Sequence, residues 1–118
     1  MALPWVRLDT QWFANPKFLA LVADRKHRAI TAYFAGLAWS GSQGQAGFVP
    51  RGALGMIHAT PKDAADLVSV SLWHADSSGG WRINDWNEYQ PTNEEHEKRS
   101  QRARAAAEIR WGKDKNSA

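Results

Sequence analysis

The basic residues near the carboxyl end of the chain have the types and the spacing that phosphate binding requires. Between Lys98 and Lys113, six basic residues face one acidic residue, Glu108. A helix turns by about 100° per residue, which places five of the six within an arc of about 120° and Arg104 on the other side. These five are Lys98, Arg99, Arg102, Arg110 and Lys113. The spacing predicts a cationic face suited to phosphate groups; the alternative is a solvated helix without a ligand.

Catalysis and metal binding have no comparable support. The four histidines, His27, His58, His74 and His96, lie far apart, and no two of them have ligand spacing on one helix. Cysteine is absent, which excludes disulfides and thiolate zinc sites. The chain has neither a nucleophile-elbow motif nor a phosphate-binding glycine loop. We therefore expect a protein that is not an enzyme and that needs neither a cofactor nor a metal.

Length and composition predict one modest hydrophobic core. The chain has 118 residues, a hydrophobic content of 43%, a net charge of +3 and a pI near 9.5. Apolar runs are too short to cross a bilayer, and the first residues do not resemble a signal peptide. The expected location is the cytoplasm, with no membrane association.

The first half of the chain predicts a strand and two helices. The alternation in Trp5–Asp9 is typical of a half-buried strand. Asn15 and Pro16 resemble a helix cap and a first helical residue, and they predict a helix to about Ala23. A central helix is expected over Ala29–Trp39, followed by a glycine-rich loop over Ser40–Gly47. The predicted core positions of the central helix are Ile30, Tyr33, Phe34, Leu37 and Ala38.

A helix-turn-helix pattern follows this loop. Phe48–Pro50 is predicted to be extended and to lead into a helix near Arg51, with Leu54 and Ile57 facing inward. Thr60 caps a second helix, from Pro61 to about Ser71. The predicted inward face of this helix comprises Ala64, Leu67, Val68 and Leu72.

Two strand-like runs after the second helix predict a hairpin, which is a wing when it follows a helix-turn-helix. The runs are Leu72–Asp76 and Gly80–Trp86, joined by serines and glycines. Alternation places Arg82 on the solvent face, and a bend near Asp85 is expected to turn Trp86 inward. We expect five tryptophans to pack in the core or the hairpin: Trp5, Trp12, Trp39, Trp73 and Trp86.

The elements from residue 3 to 111 resemble the winged-helix N-terminal domain of phage replisome-organiser proteins. This group is similar to DnaD-type primosome proteins and to small helix-turn-helix proteins of actinobacterial phages. The run Trp86-Asn-Glu-Tyr-Gln90 after the hairpin is the most distinctive element. The resemblance implies a winged helix, a role in DNA replication or transcription, and no active site.

The sequence therefore predicts an α+β winged helix-turn-helix domain over residues 1–91 and a basic helical tail over residues 92–118. The Pro61–Ser71 helix carries Lys62, Asp63 and Asp66, a net charge of −1 that disfavours its entry into a DNA groove. Duplex DNA is the expected partner, held by the tail and the wing through Lys98, Arg99, Arg102, Arg110, Lys113, Arg82, Lys62 and Arg51. The alternative is a protein-interaction module, centred on the Pro61–Ser71 helix, that binds a second copy or a host or phage replication protein.

Overall fold

The computed structural model describes residues 2–90, 98 and 101–109 and has an α+β architecture. Its α-helices are α1 (Pro16–Ala23), α2 (His27–Ser42), α3 (Pro61–Ser69) and α4 (Trp86–Tyr89), and its strands are β1 (Phe48–Val49), β2 (Trp73–Ala75) and β3 (Trp81–Ile83). Short 3₁₀ turns cover Trp12–Ala14 and Arg51–Ala53. Residues 98 and 101–109 are helical. In this part of the chain, no helix has the length and apolar content needed to span a bilayer.

The three strands form one antiparallel sheet in the order β1-β3-β2. Trp73 pairs with Ile83 in the predicted hairpin, and Val49 pairs with Trp81 on the other side of β3. The hairpin is confirmed. The pairing of β1 with β3 was not predicted, because a strand of two residues carries too little alternation to indicate a partner.

Both predicted helix caps are confirmed. The Asn15 side chain accepts a hydrogen bond from the Lys17 amide at the start of α1. Thr60 and Asp63 form a reciprocal capping box at the start of α3, with N···O distances of 3.2 and 2.9 Å. Such caps satisfy amides that have no partner within the helix.

Helices α1, α2 and α3 end in the same hydrogen-bonding motif. A left-handed residue follows each helix, and the next amide reaches back to a carbonyl five positions earlier, as in a Schellman motif. The left-handed residues are Arg25, Gly44 and Ser71, and the bonds run from Lys26 to Leu21, Gln45 to Ser40 and Leu72 to Leu67. Helix α3 therefore ends at Ser69, before the predicted Ser71.

The core lies where α2, α3 and the sheet meet, and Trp73 at its centre is fully buried. The buried residues include six of the predicted inward helix positions: Leu37, Leu54, Ile57, Ala64, Leu67 and Leu72. Ile30, Tyr33, Phe34 and Val68 are half-buried against this core. The prediction for Ala38 was wrong, because the buried face of α2 runs through Ala29, Ala32, Gly36, Leu37 and Ser40 and leaves Ala38 exposed.

Two element boundaries near the predicted helix-turn-helix differ from the sequence prediction. Helix α2 extends to Ser42 and therefore includes Ser40, which is buried. The buried hydroxyl of Ser40 is satisfied, because its Oγ accepts from the Gly47 amide and donates to the Phe48 carbonyl. The predicted helix near Arg51 is a 3₁₀ turn followed by irregular turns, although Ile57 is buried as expected. Gly52 and Gly55 lower the helix propensity of this segment.

The predicted strand over Trp5–Asp9 was wrong. This segment pairs with no strand; instead, the Arg7 amide donates to Gln90 Oε1 at 2.7 Å, and Gln90 Nε2 donates to the Arg7 carbonyl at 2.8 Å. The side-chain amide of Gln90 thus forms the two hydrogen bonds with the Arg7 backbone that a neighbouring strand would otherwise form. Trp5 is 56% exposed, so its predicted packing was also wrong, because the buried positions of the segment are three residues apart, at Leu3 and Val6.

Gln90 follows α4, which begins after the predicted bend. Asp85 has a left-handed backbone (φ 56°), and Trp86 is buried, so the prediction that the chain turns Trp86 inward is confirmed.

Replacing Gln90 with alanine is expected to lower the free energy of unfolding by about 1–3 kcal/mol, because the Arg7 backbone loses both partners. Urea denaturation followed by circular dichroism measures the change. Asn87, an exposed residue of α4, is the matched control, and Asn87→Ala should stay within about 0.5 kcal/mol of the wild type. A similar small loss for Gln90→Ala would contradict the role of the amide.

Candidate nucleic-acid interface

The tail is helical and exposed where the structure describes it. Residues 98 and 101–109 are helical, which confirms the predicted helix over this part, and all of them are exposed. Lys98 and Arg102 belong to this set, whereas Arg99, Arg110 and Lys113 lie outside the described residues. Ile109, which is 69% exposed, lies two turns after Arg102 on the same side of the helix. The described part of the basic face thus includes an aliphatic side chain.

The hairpin arginine is exposed, as predicted, but its charge is compensated. Arg82 Nε donates to Asp76 Oδ1 at 3.0 Å, and its guanidinium carbon lies 5.3 Å from the centre of the Phe48 ring. Hydrogen bonds from the side chain and the amide of Ser78 lower the pKa of the Asp76 carboxyl, and Arg82 lowers it further. The acid therefore stays ionised beside the guanidinium, and Arg82 offers phosphate little net charge.

The acidic residues of α3 are also compensated. Asp66 lies 3.0 Å from Lys26 Nζ and 3.9 Å from Lys62 Nζ. Asp63 is 5% exposed, accepts the Thr60 amide in the capping box, and lies 3.7 Å from Arg28 Nη2. The sequence argument that these carboxylates repel phosphate therefore loses its basis, because each carboxylate has a cation beside it.

Sequence reasoning missed the basic turn between α1 and α2. Its signal was a run of four residues, Arg25-Lys26-His27-Arg28. The left-handed backbone of Arg25 ends α1, and the two cations that follow contact the first turns of α3 through Asp66 and Asp63. The turn therefore supplies two of the cations, Lys26 and Arg28, that pair with the acidic residues of α3.

The remaining predicted residue, Arg51, is exposed at the start of its 3₁₀ turn and forms no ion pair with the described residues. Arg51, Lys62 and Arg82 belong to three different elements, and no hydrogen bond joins them. The structure therefore assembles no single pocket from these three predicted site residues.

Metal binding has no candidate among residues 2–90, 98 and 101–109, since no group of three or more histidine, aspartate or glutamate side chains is placed to hold an ion.

Comparison of the chain with protein-family models, with curated protein sequences and with solved structures gives no match. The functional argument therefore depends on the order of the elements and on the charges that they carry.

Proposed function

We propose that this protein is a winged-helix DNA-binding protein without catalytic activity, acting in DNA replication or transcription like the phage replisome-organiser proteins that it resembles. The observation that carries the proposal is the pairing of β1 with β3. In a winged helix, the strand that precedes the helix-turn-helix pairs with the second strand of the wing. Two features of this chain fit that arrangement. The elements follow one another as α2, β1, the Arg51–Ala53 turn, α3, β2 and β3, and the strands lie in the sheet in the order β1-β3-β2.

The surface of α3 supports contact with the DNA backbone rather than base reading. The exposed residues of α3 include Lys62, Ala65 and Ser69. Ala65 and Ser69 are small, so they leave room for a DNA backbone to approach the helix closely. Arginine, asparagine and glutamine, which read bases most often, are absent from α3. With Asp63 and Asp66 compensated, approach of this helix to phosphate carries little electrostatic penalty. Binding should therefore depend weakly on DNA sequence.

Among the described residues of the tail, Arg102 is the side chain that the proposed interface can use. Arg102 is exposed and belongs to the predicted basic face, whereas Arg82 is paired with Asp76. Phosphate neutralised by a basic side chain releases condensed counterions, so each contact contributes to the salt dependence of binding. Arg99 and Arg102 should contribute more than Arg82.

The test is the affinity for random-sequence duplex DNA, measured by fluorescence anisotropy over a range of salt concentrations. Three to five phosphate contacts give a slope of log K against log salt of roughly −3 to −4.5. Replacing Arg99 and Arg102 with alanine is expected to flatten the slope by about two units and to weaken binding to all sequences alike. The fold should be unaffected, because Arg102 and the other described residues of the tail helix are exposed.

Arg82→Ala is the matched control, because its charge is already compensated by Asp76. It should change the slope by less than about half a unit. An unchanged slope after the double substitution would contradict the role of the tail. A full chain that shows no salt-dependent binding at low ionic strength, but elutes as a dimer or binds a replication protein, would favour the alternative of a protein-interaction module.

A further inference from the structure

The last residue that the structure describes before the tail is held by the opposite end of the chain. Gln90 is 3% exposed, and its side-chain amide forms two hydrogen bonds with the Arg7 backbone, at 2.7 and 2.8 Å. The Arg7 side chain adds a third bond, from Nη1 to the Tyr89 carbonyl at 3.4 Å. The Gln90 backbone is extended (φ −97°, ψ 147°), so α4 ends at this residue. The chain therefore continues toward the tail from a point that Arg7 fixes.

The segment that holds Gln90 is itself attached to the core. The Leu3 amide donates to the Gly41 carbonyl near the end of α2 at 2.8 Å, Leu3 is buried, and Val6 packs against the core. Residues 3–7, the N-terminal segment, thus link the end of α2 to the end of α4. Bonds formed by a segment that is anchored at both ends restrain the position of Gln90 more than a contact with a free chain end would.

We propose that Gln90, through its bonds to the N-terminal segment, is a positioning residue for the basic tail, a role that rests on the proposed function, in which the domain and the tail contact one DNA duplex. When two linked modules bind one target, the effective concentration of the second falls roughly as the −3/2 power of the linker length, or more steeply. The length that matters runs from the last residue held by the domain to the tail.

The bonds to Arg7 shorten this length. Seven residues, 91–97, separate Gln90 from Lys98, the first described residue of the tail. Without these bonds, the nearest buried residue before Lys98 is Trp86, and eleven residues separate the two. The change from seven to eleven residues lowers the effective concentration of the tail about two- to threefold.

The test is a double-mutant cycle on the full chain, with random-sequence duplex DNA and fluorescence anisotropy as the readout. Gln90→Ala should weaken binding about two- to threefold. The slope of log K against log salt should stay unchanged, because every basic side chain remains. In a chain that already carries Arg99→Ala and Arg102→Ala, Gln90→Ala should have little further effect, because the tail then contributes little to binding. Gln90 that only stabilises the fold would instead weaken binding equally in both chains.

Two control variants separate positioning from stability. Asn87→Ala changes an exposed residue of α4 and should leave the affinity unchanged. Ile57→Val removes a buried methylene among the turns before α3, so it lowers stability at a distance from Gln90 in the sequence. It should also leave the affinity unchanged at a temperature at which circular dichroism shows every variant to be folded.

The outcomes distinguish a failure of this role from a failure of the proposed function. Equal losses for Gln90→Ala in the two chains, or a loss of the same size for Ile57→Val, would overturn the positioning role while DNA binding itself stands. A wild-type chain without salt-dependent DNA binding would overturn the proposed function, and the positioning role with it.

Discussion

Replacing Trp73 with alanine is expected to lower the free energy of unfolding by about 3–5 kcal/mol. Trp73 has no exposed surface, lies 5.8 Å from the Trp81 ring between centroids, and is in contact with α2 at Gly36. Its removal would leave a cavity where the helices meet the sheet. Domains of this size are stable by about 5–15 kcal/mol, so the variant should lose a large part of its stability. Urea denaturation and the thermal midpoint measure the loss.

Trp73→Phe separates packing from polarity. The indole nitrogen Nε1 is buried without a hydrogen-bond partner, so phenylalanine removes an unsatisfied donor as well as volume. The expected loss is therefore smaller, about 1–2 kcal/mol. A loss as large as that of Trp73→Ala would contradict this expectation, and it would mean that a phenylalanine ring does not fill the space that the indole leaves.

Replacing Gly47 with alanine is expected to cost about 2–5 kcal/mol. Gly47 has a φ of 91°, and a Cβ built there would lie 2.7 Å from Cβ and Cγ of Trp86. The backbone cannot shift easily, because its amide donates to Ser40 Oγ and its carbonyl accepts from the Ile83 amide. The cost combines left-handed strain of about 1–2 kcal/mol with overpacking of about 1–3 kcal/mol. The measurement is again the free energy of unfolding.

Gly79 is the matched control for this substitution. Its φ of 99° is close to that of Gly47, but no atom lies within 4 Å of a Cβ added there. Gly79→Ala should therefore show the strain alone, about 1–2 kcal/mol. The difference between the two variants measures the contact with Trp86, and equal losses would mean that Trp86 moves aside freely.

The features that could be predicted from sequence are those whose chemistry is local. Asn15 and Thr60 cap their helices through hydrogen bonds that span only two or three residues. The hairpin is specified by a short glycine-rich connection between two apolar runs. A motif whose hydrogen bonds join residues close in sequence can be predicted from the sequence without knowledge of the tertiary structure.

The features that could not be predicted depend on partners far away in the sequence. The segment containing Trp5 alternates like a strand, but its hydrogen-bonding partner is the side chain of Gln90. Helix ends at Arg25 and Ser71 use left-handed residues that are not glycine, so the usual sequence signal was missing.

The candidate interface also combines a feature that could be predicted from local spacing with one that depends on a distant partner. The basic face of the tail follows from helical spacing alone, and its described residues are exposed as expected. Lys26 lies before α2 and compensates Asp66 on α3, so the net charge of α3 counted along the sequence does not describe the charge of its surface. Charges counted along a sequence describe a surface only when their partners are also near in sequence.

The bonds between Gln90 and Arg7 also bear on the order in which the fold assembles. They join residues 83 positions apart, whereas the hairpin pair Trp73 and Ile83 closes a loop of 10. Loop-closure entropy makes the longer closure about 2 kcal/mol more costly from an open chain. We therefore expect the hairpin to form early and the N-terminal segment to dock late. If this segment also opens without the rest of the fold, hydrogen exchange at the Arg7 amide should be faster than exchange at the amides around Trp73.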